Sequence, residues 1–173
     1  MAHLPEALVE RIKGLPSDRG LYLWGPQGSG KTYSMAAALK HLWVAGFDVA
    51  WQSFEELLLR VRDTYKPGGG SEWDIIHPLC DVDILALDDV GVTVSADRQE
   101  SDFTLRTFMV LLDHRLAHCQ QTFITSNKTL EDLRRSFDPR IASRICEACD
   151  IVKISGEDRR LVRAKRGGKG AGS

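Results

Sequence analysis

The octapeptide from Gly25 to Thr32, GPQGSGKT, constrains this chain more than any other feature. It fits the pattern G-x-x-x-x-G-K-[ST] and stands between two segments of opposite character. Gly20 to Trp24 (GLYLW) is a short apolar run that breaks off at the glycines, as a strand would. Lys31 to Ala45 has the length and the Ala, Leu and Met content of a helix. Strand, glycine-rich turn and helix in that order make a cradle for phosphate. Gly25, Gly28 and Gly30 let the backbone close around phosphate oxygens, with Pro26, Gln27 and Ser29 completing the loop. Successive N–H groups and the positive end of the helix then face the negative charge. Lys31 reaches the β and γ phosphates of a nucleotide, and the Thr32 hydroxyl is placed to bind Mg²⁺.

The rest of the chain supplies a sheet around this turn. Asp48 to Ser53, Asp83 to Leu87, Thr122 to Thr125 and Asp150 to Ile154 are four more short apolar strands. Helices are expected over Phe54–Tyr65, where Phe54, Leu57, Leu58 and Val61 share a face, and over Ser101–Cys119, Leu130–Ser136 and Pro139–Cys146. Lys66 to Ser71 (KPGGGS) reads as a flexible loop, and Asp88 to Asp102 as irregular. Strands alternating with helices predict an α/β fold with a parallel sheet covered on both faces. At 173 residues one domain is expected, over residues 1–162 with a short amphipathic helix at Pro5–Lys13, and residues 163–173 form a disordered basic Gly/Lys-rich tail.

Three further groups bear on phosphate chemistry. The strand ILALDD ends in two acids. An acid at the carboxyl end of a strand beside the cradle can hold Mg²⁺ through its water shell, which assigns Asp88 to the metal. Asp89 is then placed to orient and deprotonate an attacking water. Asn127 ends the next strand, in TSN, and would project at the same sheet edge to hold water or the γ-phosphate. Arg140 and Arg144 lie four apart on one face of the PRIASRI helix. That pattern fits either a solvated surface or a guanidinium delivered to the γ-phosphate of a neighbouring subunit, and spacing does not choose between them.

Charge and cysteine content exclude several classes. The formal net charge of −1 argues against a uniformly basic polyanion binder. It sums an acidic stretch, Glu72 to Asp102, and a basic end that holds Arg159, Arg160, Arg163, Lys165, Arg166 and Lys169. Arg60, Arg62 and Lys66, with Tyr65 and Trp51 for stacking, are an ordered nucleic-acid candidate. Four irregularly spaced cysteines suit a reduced, cytoplasmic setting, and no apolar run approaches a membrane span, so no membrane partner is expected. Cys146 and Cys149 form C-x-x-C without a second ligand pair, and Arg115 stands between His114 and His118 where H-E-x-x-H needs glutamate, so neither motif supports zinc chemistry.

GPQGSGKT, ILALDDVG, TSN, RIASRI and GEDRR together resemble the AAA+ core of DnaC-type helicase loaders and the related IstB-type transposition ATPases, over roughly Leu21 to Arg160. The resemblance implies a P-loop NTPase sheet of five parallel strands in the order 5-1-4-3-2, with ATP and Mg²⁺ bound by the Walker A and B motifs and Asn127 as sensor 1. It implies Arg144 as an arginine finger acting in trans in a ring or spiral of copies, Arg140 as its interface neighbour, and Arg159 and Arg160 as nucleotide or interface arginines. The activity implied is slow ATP hydrolysis, dependent on oligomer or DNA, by a loader that binds single-stranded DNA and a replicative helicase. Alternatives are an IstB-like accessory ATPase acting on duplex DNA, or a small P-loop kinase or GTPase. Against a GTPase, Asn127-Lys128 is followed by Thr129-Leu130 where guanine reading needs N-K-x-D.

Overall fold

The computed structural model describes residues 12, 14, 18–91, 98–136 and 138–155, apart from the side chains of 98–101 and 136. The five strands are β1 (Gly20–Trp24), β2 (Val49–Ser53), β3 (Ile84–Asp88), β4 (Gln121–Ser126) and β5 (Cys149–Lys153). All pair in parallel in the order β2-β3-β4-β1-β5, which read from the other edge is the expected 5-1-4-3-2. This order puts β4 between β1 and β3. Three chain segments therefore arrive side by side at the carboxyl edge: the glycine turn after β1, the paired acids at the end of β3 and Asn127 after β4.

Alternation along the strands builds two cores. Leu21 and Leu23 of β1, Ile84 and Ala86 of β3 and Phe123 of β4 pack with Met35, Ala38, Leu39 and Leu42 of α1 (Lys31–Val44). Tyr22, Leu85, Leu87 and Ile124 point the other way. They pack under α2 (Phe54–Asp63), α3 (Glu72–Asp81), α4 (Arg98–Ala117), α5 (Leu130–Ser136) and α6 (Pro139–Ala148). Burial on both faces is why these strands read as continuous apolar runs instead of alternating ones. Helix starts follow local chemistry. Ser53 Oγ accepts the Glu56 N–H at 3.5 Å to begin α2, and Asp138 accepts the Arg140 N–H at 2.8 Å, just ahead of Pro139, to begin α6.

The sequence reading passed over one helix. α3 follows the KPGGGS loop directly, with Ser71 as its cap, and contains Pro78. Proline lacks an N–H and disfavours a helix interior. Here the cost is offset by Ile76 and Cys80, buried against the core, and by a guanidinium from α4: Arg115 Nη1 donates to the carbonyls of Leu79 at 2.8 Å and Cys80 at 3.4 Å. α4 also begins earlier than expected, at Arg98. Of the predicted helix Pro5–Lys13 only Ile12 is among the described residues, packed against the α1 side of the sheet. Residues 163–173 lie outside the described residues, as do Arg159 and Arg160. No helix of the described residues is long and apolar enough to cross a membrane.

Candidate nucleotide-binding site

The turn after β1 is built by backbone constraints. A Cβ on Gly25 would stand 2.2 Å from the Ile154 carbonyl oxygen, so the chain passes β5 too closely for any other residue. Gly28 and Gly30 have φ of 78° and 95°, in the left-handed region. Gly30 caps α1 without offering a side-chain acceptor, and the first turn holds no acid. The first N–H groups of α1 thus stay uncapped by side chains and suit an anion.

A cavity of about 560 Å³ opens beside this turn, lined by Gln27, Gly28, Gly30, Lys31, Thr32, Tyr33, Ala36, Asp89 and Asn127. Gly25, Pro26 and Ser29 are not among its lining residues. The Gly25 and Pro26 carbonyls each accept from Lys31 Nζ at 3.0 Å, and Asn127 Oδ1 accepts from the same ammonium at 2.5 Å. Lys31 is 5% exposed. Burial lowers its pKa from the ordinary lysine value, against the opposing pull of Asp89 and Asp88.

The two acids at the end of β3 have different surroundings. Asp88 is buried and accepts at Oδ1 from Thr32 Oγ1 at 3.2 Å and from Thr125 Oγ1 at 2.5 Å. Asp89 has a φ of 59°, a left-handed conformation that aspartate tolerates better than most residues, and its side chain is exposed on the cavity wall. The residues present fit a nucleotide with Mg²⁺: uncapped helix amides and Lys31 for phosphate oxygens, and a hydroxyl and carboxylate already in contact, Thr32 and Asp88, as oxygen donors for a hard cation.

The remaining candidates lie elsewhere. Arg140 is exposed and forked onto Asp138, its Nε donating to Oδ1 at 2.9 Å and its Nη2 to Oδ2 at 3.0 Å. Arg144 is half-exposed, with Nε 2.7 Å from Asp113 Oδ1 and Nη1 2.7 Å from Glu147 Oε2. Neither lines the cavity. Much of the suggested nucleic-acid cluster is engaged within the chain: Arg106 donates to Tyr65 Oη and Glu72 Oε2, Lys66 pairs with Asp63, Arg60 donates to Gln52, and Arg62 lies over the Phe103 ring. Sequence reading missed Tyr33 and Ala36 as wall residues, although Ala36 follows Thr32 by one helical turn. It also missed Thr125.

Comparison with known proteins agrees with this architecture. The replicative helicase loader DnaC of Escherichia coli is 25% identical over 121 residues, covering 70% of this chain and 47% of that protein. The replicative helicase loader DnaI of Bacillus subtilis is 24% identical over 159 residues, covering 82% of this chain and 48% of that protein. The chain thus spans about half the length of either relative. Among solved structures, the DnaC helicase loader superposes with a TM-score of 0.73 at 20% identity, covering 87% of both chains. AMPPCP-bound DnaA from Aquifex aeolicus superposes with 0.71 at 22% identity, over 95% of this chain and 49% of that one. These likenesses establish the fold. The model of the IstB-like ATP binding protein family matches residues 8–167, and the chain belongs to that family.

Proposed function

We propose that this chain is a helicase-loader-like AAA+ ATPase that binds ATP with Mg²⁺ and hydrolyses it as a switch for assembly on DNA. The observation that carries the reading is the meeting of five residues at one sheet edge: Lys31, Thr32, Asp89 and Asn127 line one cavity, and buried Asp88 accepts from Thr32. In this reading the turn amides and Lys31 bind the β and γ phosphates, and Thr32 and Asp88 hold Mg²⁺, which supplies Lewis-acid polarisation of the phosphoryl group. Asp89 accepts the proton of the attacking water, and Asn127 orients that water or the γ-phosphate. Lys31 must exchange its carbonyl and Asn127 contacts for phosphate oxygens. Arg144 serves the nucleotide of the next subunit by leaving Asp113 and Glu147, so copies join head to tail in a ring or open spiral, with Arg140 beside the contact.

The test mixes two inactive chains. Lys31→Ala retains Arg144 but not the phosphate contact, and Arg144→Ala the reverse. Sites shared between subunits predict ATPase activity above the weighted mean of the two. Activity equal to that mean contradicts a shared site, and full activity of Lys31→Ala alone contradicts the ATP site. Single-stranded DNA and a replicative helicase are the proposed partners, motivated by the two loader relatives. The family match favours a second reading, an accessory transposition ATPase on duplex DNA. Tighter binding of duplex than of single strands at one fixed salt concentration would select it.

A further inference from the structure

Thr125 is fully buried near the end of β4, and among the described residues its hydroxyl has two partners, Asp88 at the end of β3 and Asp89 just beyond it. Its Oγ1 accepts the Asp89 N–H at 2.9 Å and lies 2.5 Å from Asp88 Oδ1. A backbone N–H only donates, so the hydroxyl is the acceptor there and its single proton is directed to the Asp88 carboxylate. The same Oδ1 accepts from Thr32 Oγ1 at 3.2 Å, and among the described residues no hydroxyl or amide donates to Oδ2. Thr125 therefore fixes the rotation of the Asp88 carboxylate and, one residue on, anchors the backbone where Asp89 turns to a φ of 59°. Its carbonyl makes a second, side-chain-independent tie by accepting the Val90 N–H at 2.9 Å.

We infer that Thr125 is a positioning residue for the acid pair, its hydroxyl holding Asp88 toward Thr32 for the cation and Asp89 toward the cavity. The inference deepens the proposed ATP site and rests on it. Carboxylates that hold metals are commonly oriented by such hydrogen bonds, and losing one costs about 10- to 100-fold in metal affinity or activity. A hydroxyl serving two adjacent acids affects both metal affinity and turnover.

Thr125→Val removes the hydroxyl at nearly constant shape, and Thr125→Ser retains it. In nucleotide-free protein, amide hydrogen exchange at Asp89 is expected to quicken about 10-fold or more in Thr125→Val and to stay near wild type in Thr125→Ser, with Val90 unchanged in both. The Mg²⁺ concentration for half-maximal enhancement of ATP binding should rise about 10-fold in the valine variant and recover with serine, while ATP binding in EDTA stays the same. If the valine chain does not accumulate folded, Thr125→Cys, whose thiol is a weak donor, takes its place. Unchanged exchange at Asp89, a uniform rise across β3 and β4, or a serine variant as impaired as valine would each overturn the inference. So would a lowered melting point with unaltered Mg²⁺ dependence. Wild-type protein that binds no ATP would instead overturn the nucleotide site, and the exchange measurement would still decide whether Thr125 holds Asp89.

Discussion

Among the described residues two cations are buried, one at each end of the sheet, and both are held mainly by backbone carbonyls. At the carboxyl edge Lys31 is bound by two carbonyls and Asn127, with Asp88 and Asp89 close enough to stabilise its charge and a cavity in front of it. At the amino edge Arg115 is 0% exposed. Its Nε donates to Thr122 Oγ1 at 3.0 Å, Nη1 to the Leu79, Cys80 and Val82 carbonyls, and Nη2 to the carbonyls of Asp83 at 3.2 Å and Gln121 at 2.6 Å. Its partners come from the end of α3, the entry to β3 and the start of β4, so one guanidinium ties three elements together. Burial lowers its pKa to about 10, with Cys80 and Asp83 pulling the other way, and it stays charged at neutral pH. Each nitrogen of Arg115 is used inside the fold. The contacts of Lys31 are ones a phosphate can replace. The difference separates a cation that builds the structure from one that the structure presents to a ligand.

The largest effect expected from this contrast is on stability at Arg115. Arg115→Met keeps much of the stem and strands the carbonyls it satisfied, which should cost about 3–5 kcal/mol of unfolding free energy in urea titrations. A loss under about 1 kcal/mol would place Arg115 with ordinary surface arginines. Next is Lys31→Ala, for which ATP affinity should fall about 100-fold, equivalent to about 2.7 kcal/mol, with unfolding free energy within about 1 kcal/mol of wild type. A comparable loss of stability would erase the distinction.

A pH series sharpens the same comparison. Lys31 in the nucleotide-free protein titrates below the ordinary 10.5, whereas bound phosphate raises its proton affinity, so binding takes up a proton and affinity falls as pH rises through the lowered pKa. The slope should approach about tenfold per pH unit and vanish in Lys31→Ala, as read by fluorescent-nucleotide titration. The smallest effect concerns Arg19, a half-exposed counterpart of Arg115. It donates to the Cys146 and Glu147 carbonyls at the end of α6 and the Cys149 carbonyl at the start of β5, and pairs with Asp150. Solvent screens this pair, and Arg19→Ala should cost about 1 kcal/mol in the same urea titrations.

These two cations also mark what could be read in advance. Lys31 sits in a contiguous motif whose chemistry is local, so the cradle, the strand before it and the helix after it were all legible, and the alternation of strands with helices carried the sheet. Arg115 was read only as the residue that spoils an H-E-x-x-H match, because its acceptors are backbone carbonyls distant in sequence and carry no side-chain signature. α3 was hidden by Pro78 and the preceding glycines, and its stability depends on tertiary contacts that propensity does not register. Thr125 looked like one more β-branched strand residue. Its role depends on which strand lies beside β4, which sheet order determines and local pattern does not. Asp88 and Asp89 were legible as a pair at a strand end, but the left-handed turn that separates their environments was not.

The division of labour is tested most directly by thermal melts of wild type, Lys31→Ala and Arg115→Lys, each with and without ATP and Mg²⁺. At a ligand concentration about 100 times the dissociation constant, binding should add about 2.7 kcal/mol and raise the wild-type midpoint by about 5–10 °C. Arg115→Lys should melt lower than wild type yet gain the same increment, and Lys31→Ala should melt near wild type and gain almost nothing. An equal gain for Lys31→Ala, or none for wild type, would contradict the account.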